Sequence, residues 1–189
     1  MIVLVEGASD AAAVRAGAVG RGISLSRIDI RPMGGVTNVR KALAAAYETT
    51  PEAQVIGLCD AGESAVVERA LRERGQPVRD AGDLPAYGWF VCVRDLEEEL
   101  IRALGPTRTL AVIDDLGLTT KLRTLLGQPQ WAGRPLEEAL HRFCGVASGR
   151  KELLAGALAV ALTAGEEPEP LRLLLDWLGS GDWAMREEG

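Results

Sequence analysis

The sequence predicts an α/β fold: a mainly parallel sheet of about four strands with helices on both faces, followed by a C-terminal helical extension. Over residues 1–105, apolar strand-like runs alternate with helical segments, as expected for βαβ units joined by right-handed crossovers. From residue 106 onward no strand-like run occurs. We therefore predict a sheet domain over residues 1–105 and a helical extension over residues 106–189 that packs against it.

The predicted strands span residues 1–5, 27–33, 54–60 and 89–93. The first, third and fourth are nearly continuous apolar runs, which suits parallel strands buried on both faces. The second alternates apolar and polar residues and contains Pro32, which favours a position near the sheet edge because proline cannot donate a ladder hydrogen bond.

The predicted helices of the sheet domain cover residues 9–19 with Ser9 as N-cap, 37–47, 62–74 and 95–104, and residues 76–88 are predicted to form a loop. Five further helices are expected near residues 106–116, 119–126, 135–144, 151–162 and 170–178. The leucine-rich segment 171–178 is either core or an interface for a homo-oligomer, and both alternatives stay open. The four tryptophans, Trp89, Trp131, Trp177 and Trp183, are expected to pack rather than to stack on bases.

Composition narrows the class of protein. The net charge of −6 argues against a general nucleic-acid coat, although residues 100–151 carry 8 basic against 4 acidic side chains that could face phosphates. The three cysteines fit no zinc spacing and are expected to be reduced and structural. No run is long enough to span a membrane, and the first residues do not read as a signal peptide, so a cytoplasmic location is expected.

Carboxylates follow three of the predicted strands at the point where each strand ends. Glu6 follows the first, Asp60 ends the third, and Asp95 follows the fourth, just before Glu97 and Glu99. Ligands of parallel sheets bind beyond the carboxyl ends of the strands, so these acids should share one small volume. Clustered carboxylates repel one another unless a cation compensates, and hard divalent ions such as Mg²⁺ or Mn²⁺ prefer oxygen ligands.

Other polar and charged residues near these positions can be explained without a metal site. Asp10 and Glu63 each open a helix, where an acid also interacts favourably with the helix dipole. The only histidine, His141, lies on a predicted helix and is expected to be structural rather than a base. Lys151 is one of few lysines in an arginine-rich chain, and from the residues alone it could be an ordinary surface lysine.

The chain resembles the Toprim domain, a Rossmann-like fold. The resemblance rests on residues 3–10 (VLVEGASD), the glycine turn 32–35 (PMGG) with Asn38, the strand-ending Asp60, and the spaced acids of residues 95–99 (DLEEE). It is closest to the Toprim of the overcoming-lysogenization-defect (OLD) family nucleases and to stand-alone Toprim proteins of the nucleotidyl transferase/hydrolase type. Residues 57–61 (GLCDA), 91–97 (VCVRDLE) and 148–151 (SGRK) are typical of that second group, and the resemblance covers about residues 1–165.

The resemblance implies a hydrolase that cleaves DNA phosphodiesters with one or two Mg²⁺ or Mn²⁺ ions. Glu6 and Asp60 would hold one ion, Asp10, Asp95 and Glu99 the other, with Glu97 nearby, and Lys151 would lie beside the scissile phosphate. Glu6 and Lys151 are the predicted catalytic residues. The chain departs from the common Asp-x-Asp pattern because Gly62 stands where the second acid is expected, with Glu63 one place later.

Three functions remain open from the sequence. The first is a metal-dependent nuclease or related phosphoryl-transfer enzyme. The second is a non-catalytic Toprim module that binds nucleic acid or a nucleotide. The third is a nuclease subunit that acts with a separate ATPase, since the phosphate-binding loop of the OLD ATPase is absent from these residues. A topoisomerase is not expected, because neither Tyr47 nor Tyr87 has the setting of a nucleophile.

Overall fold

The computed structural model describes residues 1–145 and 148–180. Its centre is a four-stranded, entirely parallel sheet with the strand order β2-β1-β3-β4. The strands are β1 (Ile2–Val5), β2 (Asp29–Pro32), β3 (Val55–Asp60) and β4 (Trp89–Cys92). The α/β fold class is confirmed, and β2, which contains Pro32, lies at an edge of the sheet as predicted.

Both faces of the sheet are covered, because successive side chains of a strand point to opposite sides. On β1, Val3 and Val5 belong to one buried cluster, and Ile2 and Leu4 belong to the cluster on the other face. All four side chains are nearly inaccessible to solvent, which explains why the strand is an unbroken apolar run.

Helices α1 to α3 follow the first three strands: α1 (Ala8–Gly20), α2 (Val39–Thr49) and α3 (Ser64–Glu73). Short 3-10 turns, Val36–Asn38 and Ala61–Glu63, precede α2 and α3. The predicted N-cap at Ser9 is wrong: Gly7 is the N-cap, and Ser9 is buried in the first turn. The Asp10 carboxylate accepts a hydrogen bond from the Gly7 N–H at 2.8 Å, so an acid three residues into the helix closes this end instead of a serine hydroxyl.

The segment after β4 is one helical stretch interrupted by a kink. Helix α4 (Leu96–Asp115) contains Gly105 with φ 73° and ψ 163°, a conformation outside the helical region that separates the two helices expected from the sequence. The preceding segment, predicted to be a loop, contains a 3-10 helix over Ala81–Tyr87.

Four more helices complete the described chain: α5 (Thr119–Leu126), α6 (Leu136–Gly145), α7 (Ser148–Ala161) and α8 (Glu169–Gly179). Helices α7 and α8 pack against α1, and α6 packs against α4. The leucines of α8 that face inward are core residues, and the Trp177 ring meets Phe90 edge-on with centroids 6.1 Å apart. The division of the chain at residues 105 and 106 stays a prediction.

The remaining expectations concern packing and environment. Trp89 is buried as predicted, and Trp183 lies outside the described residues. Cys59, Cys92 and Cys144 are all buried and free. Among the described residues, no helix is long and apolar enough to cross a membrane.

Gly57 provides a test of how closely β3 packs. A Cβ atom at this position would lie 2.5 Å from the Leu4 carbonyl oxygen and 2.7 Å from the Trp89 ring. We expect Gly57→Ala to lower the free energy of unfolding by about 1–3 kcal/mol, because neither the backbone nor the buried ring can retreat without strain. Gly20→Ala is the control, since nothing lies within 4 Å of its Cβ. Urea unfolding curves of both variants check this, and equal stability of Gly57→Ala and wild type would contradict it.

Candidate metal centre

The carboxyl ends of β1, β3 and β4 open into one cleft of about 390 Å³. The parallel sheet delivers Glu6, Asp60 and Asp95 to this edge, because each acid ends or follows a strand that runs in the same direction. The residues that line the cleft are Glu6, Gly7, Asp10, Gly34, Gly35, Asp60, Asp95, Glu97 and Lys151. Of the sequence-predicted site residues, all but Glu99 therefore meet in one place.

The glycine turn after β2 forms one wall of the cleft. Gly34 and Gly35 both have positive φ angles, 72° and 112°, which other residues adopt only with strain. Their backbone N–H groups donate to the carbonyl oxygen of Glu6 at 3.0 and 3.1 Å. The turn thus fixes the backbone of Glu6 while presenting no side chain to the cleft.

One half of the cleft is a group of three carboxylates. Glu6, Asp60 and Glu63 each place an oxygen so that all three lie within 4.8 Å of one another, and this set could hold a metal ion. One oxygen of Glu63, Oε2, is buried and accepts no hydrogen bond from the described residues. A donor set made only of carboxylate oxygens, with a buried acceptor unused, fits a hard divalent cation.

The electrostatics of this group point the same way. Burial, together with the charges of Glu6 and Asp95, raises the pKa of Asp60 to about 7. Burial and the adjacent Glu6 carboxylate also raise the pKa of Glu63. These acids disfavour one another's charge, which is the condition that a bound cation would relieve.

The other half of the cleft contains Asp10, Glu97 and Lys151. Glu97 is only 2% exposed, and its Oε1 lies 3.2 Å from the Lys151 ammonium. Burial and the Glu97 charge raise the pKa of Asp10 to about 6, while Lys151 acts against that rise. Burial disfavours the charged form of Lys151, but the surrounding acids, Glu97 above all, overcome this and raise its pKa. Lys151 therefore stays an ammonium at neutral pH.

Asp95 is held through both of its oxygens. Its Oδ1 accepts from the Glu98 N–H at 2.8 Å as the N-cap of α4, and its Oδ2 lies 2.6 Å from His141 Nε2. Burial opposes the charged form, yet the hydrogen bond with His141 and the Glu98 N–H together lower the pKa of Asp95. Asp95 is thus ionised at neutral pH, whereas Asp60, with a pKa of about 7, is only about half ionised there.

Glu99 is turned away from the cleft. It is 2% exposed, and its oxygens accept from the Val93 N–H at 3.0 Å and from the Arg102 guanidinium. Glu99 does not line the cleft, and its oxygens bind Val93 and Arg102 instead, so its contacts do not support the expectation that it would join the metal ligands. Glu97, two residues earlier on the helix, takes the place facing the cleft.

Two residues of the site were not assigned to it from the sequence. The sequence does not decide whether Glu63 is a ligand or a dipole-complementing acid, and the 3-10 turn Ala61–Glu63 brings it close to Asp60 and Glu6. His141 was expected to be structural, and the structure places it on Asp95. Glu63 carried a signal in its spacing from Asp60, whereas nothing local to residue 141 indicates that α6 reaches the N-terminus of α4.

Three arginines in the basic middle of the chain are paired with acids. Arg108 pairs with Glu166 at 2.9 Å, Arg134 with Glu138 at 3.5 Å, and Arg102 pairs with Glu99. Among the residues that line the cleft, Lys151 is the one cation. The described arrangement thus concentrates one fixed positive charge in a strongly acidic pocket.

Comparison with known proteins finds solved structures of similar fold. No family model matches the chain, and no curated protein matches it significantly. Among solved structures, the C-terminal region of the OLD protein of Xanthomonas campestris pv. campestris is 21% identical with a TM-score of 0.70, covering 99% of this chain and 95% of that one. The C-terminal region of the Burkholderia pseudomallei OLD protein is 20% identical with a TM-score of 0.67, over 94% and 95% of the two chains. The resemblance found in the motifs is confirmed at the level of the fold.

Proposed function

From a fold shared with the C-terminal regions of OLD proteins, we propose that this protein is a divalent-metal-dependent nuclease that cleaves DNA phosphodiesters. The single observation that carries the proposal is the cleft in which Glu6, Asp60 and Glu63 bring three carboxylate oxygens within 4.8 Å of one another. The sheet and the motifs supply the context, and the chemistry rests on these oxygens.

The proposed ligand sets follow the two halves of the cleft. Glu6, Asp60 and Glu63 would hold one Mg²⁺ or Mn²⁺, and Asp10, Asp95 and Glu97 would hold or orient a second. When bound, such ions polarise a phosphoryl oxygen and lower the pKa of a bound water. The Glu6 charge raises the pKa of Asp10, Asp60 and Glu63, so we propose Glu6 as the carboxylate shared between the two halves and as a catalytic residue.

Lys151 has a separate role in the proposal. Its ammonium lies on the wall of the cleft and pairs there with the buried Glu97 at 3.2 Å. A fixed positive charge near the scissile phosphate stabilises the negative charge that builds up in the transition state. Lys151 therefore binds and orients the phosphate, whereas the carboxylates would hold the metal ions that lower the pKa of the attacking water.

The test combines binding with turnover on the same preparation. Calorimetric titration with Mn²⁺ measures whether the cleft takes up an ion, and nicking of supercoiled plasmid in Mn²⁺ measures cleavage. Uptake together with nicking supports the proposal. Uptake without nicking supports a non-catalytic Toprim module instead, and absence of both removes the metal-dependent function.

Metal affinity should depend on pH in a defined direction. The pKa values of Asp10 and Asp60 are raised to about 6 and about 7, so both acids hold protons that a metal must displace below neutrality. We expect Mn²⁺ to bind about tenfold more weakly at about pH 6 than at about pH 7.5. The lower pH is about one unit below the pKa of Asp60, so most Asp60 side chains carry a proton there. Calorimetry at both pH values, in two buffers of different ionisation enthalpy, also counts the protons released.

The stability of the metal-free protein should show the opposite trend. Acids with a raised pKa bind protons more tightly in the folded than in the unfolded chain, so their contribution to stability falls as pH rises from about 4 to about 7. Because Mn²⁺ binds more tightly at the higher pH, added Mn²⁺ should raise the melting temperature more at about pH 7.5 than at about pH 6. Equal affinity at the two pH values would show that neither Asp10 nor Asp60 loses a proton on binding.

A second candidate function concerns a partner. The two solved structures compared above are each one region of an OLD protein. We propose as an alternative that the chain supplies the nuclease half to a separate ATPase. Copurification of an ATPase with the tagged protein, and ATP-dependent stimulation of nicking, would support this role, whereas full activity that ATP does not change would count against it.

A further inference from the structure

His141 is the one imidazole of the chain, and it belongs to an element outside the strand-end motifs. Its Nε2 lies 2.6 Å from Asp95 Oδ2, across a sequence separation of 46 residues. The imidazole is 19% exposed and is not among the side chains that line the cleft. Within residues 1–145 and 148–180, Asp95 is thus the residue of the site that His141 hydrogen-bonds.

The contact completes the fixation of the Asp95 carboxylate. Oδ1 is held by the Glu98 N–H at 2.8 Å and Oδ2 by His141, so the plane of the group is set from two sides. Each carboxylate oxygen accepts about two hydrogen bonds or ligands, so each oxygen of Asp95 keeps one lone pair for the cleft. An Asp95 held only by its helix N-cap bond would be free to turn that lone pair away.

Helix α6 is built to keep the imidazole in place. Leu140 and Phe143, on either side of His141, are fully buried in the core cluster that also contains Leu96 and Leu100 of α4. The donor and the acceptor thus belong to two helices that are packed on each other. A hydrogen bond between such elements loses little entropy when it forms, because both ends are already ordered.

We propose that His141 is a positioning residue of the metal centre, which acts by orienting Asp95 toward the cation. The proposal rests on the proposed metal-dependent function. Partners of metal-ligating groups typically change metal affinity by about 10–100-fold when they are removed. We therefore expect His141→Leu to weaken Mn²⁺ binding by about 10–100-fold, and His141→Gln, which retains an N–H donor near the position of Nε2, to stay within about threefold of wild type.

The experiment is calorimetric Mn²⁺ titration of the wild type, His141→Leu and His141→Gln, with circular dichroism and melting curves to show that each variant folds. Arg142→Gln is the matched control, because Arg142 is exposed on the same helix one residue further on. Weak binding in His141→Leu with recovery in His141→Gln supports the positioning role, since a loss of packing alone would not be rescued by a polar side chain. Affinity in His141→Leu equal to that of the wild type overturns it.

A measurement on the wild type protects the test against a variant that does not fold. Because the chain has one histidine, its imidazole ¹⁵N signals need no assignment by mutagenesis. Saturation with Mg²⁺ should shift the Nε2 signal as Asp95 is polarised, and an unchanged imidazole spectrum overturns the proposal. If the wild type binds no metal at all, the proposed function itself fails, and this outcome is distinct from one in which the wild type and His141→Leu bind equally well.

Discussion

Asp60→Asn should lose Mn²⁺-dependent nicking by about a thousandfold or more. Asparagine keeps the size of the side chain but removes a charge from the group of Glu6, Asp60 and Glu63. Bound divalent ions supply several kcal/mol of transition-state stabilisation, and each 1.36 kcal/mol corresponds to about a tenfold change in rate. The same substitution removes an acid whose pKa is raised to about 7, so the pH dependence of Mn²⁺ affinity should become flatter.

The measurement is the initial rate of plasmid nicking at saturating Mn²⁺, with the metal affinity determined in parallel. Asp29→Asn is the control, because Asp29 is a strand carboxylate at the opposite end of the sheet, where it pairs with Arg31 at 2.6 Å. We expect that variant to nick at the rate of the wild type. Undiminished nicking by Asp60→Asn would mean that the cleft between the strand ends is not where cleavage occurs.

Lys151→Met should separate cleavage from metal binding. The ammonium is 3.2 Å from Glu97, and it lowers the pKa of Asp10. Removing one preorganised charge-stabilising donor costs about 10²–10³ in rate in well-studied enzymes, and we expect a loss of that order here. Metal affinity should be unchanged or higher, because a positive charge that repels the cation has been removed.

Nicking rates and Mn²⁺ titrations of Lys151→Met and Lys121→Met make the comparison. Lys121 is exposed on α5 and serves as the control for the loss of one lysine. A Lys151→Met variant that loses Mn²⁺ binding together with nicking would show that the lysine supports the structure of the site rather than the reaction. A variant that nicks normally would remove Lys151 from the proposed catalytic residues.

The strands and the acids that end them could be predicted from the sequence because the evidence for them is local. Each strand is a short apolar run, and the side on which Glu6 or Asp60 emerges follows from where that run stops. The edge position of β2 was also predictable, since Pro32 interrupts an alternating pattern. These features depend on residues that are neighbours in the chain.

The acids at the start of α4 show where local reasoning ends. Successive residues of a helix differ in direction by about 100°. Glu97 and Glu99 are two residues apart and therefore differ by about 200°, so they cannot both face the cleft. Which of them does so depends on how Asp95 caps the helix and on the hydrogen bond that Glu99 accepts from the backbone N–H of Val93. Sequence spacing gives no reason to prefer Glu97 or Glu99 as the residue that faces the cleft, and the N-cap of α4 decides between them.

His141 shows a second limit, which is tertiary. Its role follows from the packing of α6 on α4, and no pattern near residue 141 encodes that Asp95 will be its partner. Ser9 shows a third, because a serine before a helical run is a common N-cap, and here the helix begins before it. In both cases a contact beyond the nearest neighbours decides the outcome.

The late helices α6 and α7 supply His141 and Lys151, whereas the carboxylates of the cleft all come from residues 6–97. During synthesis on a ribosome, the acidic pocket would therefore emerge long before the groups that balance it. A nascent chain that has exposed only the strands would carry an uncompensated negative charge that repels a polyanion. The proposed cleavage of DNA would then require that the chain has been synthesised at least as far as Lys151.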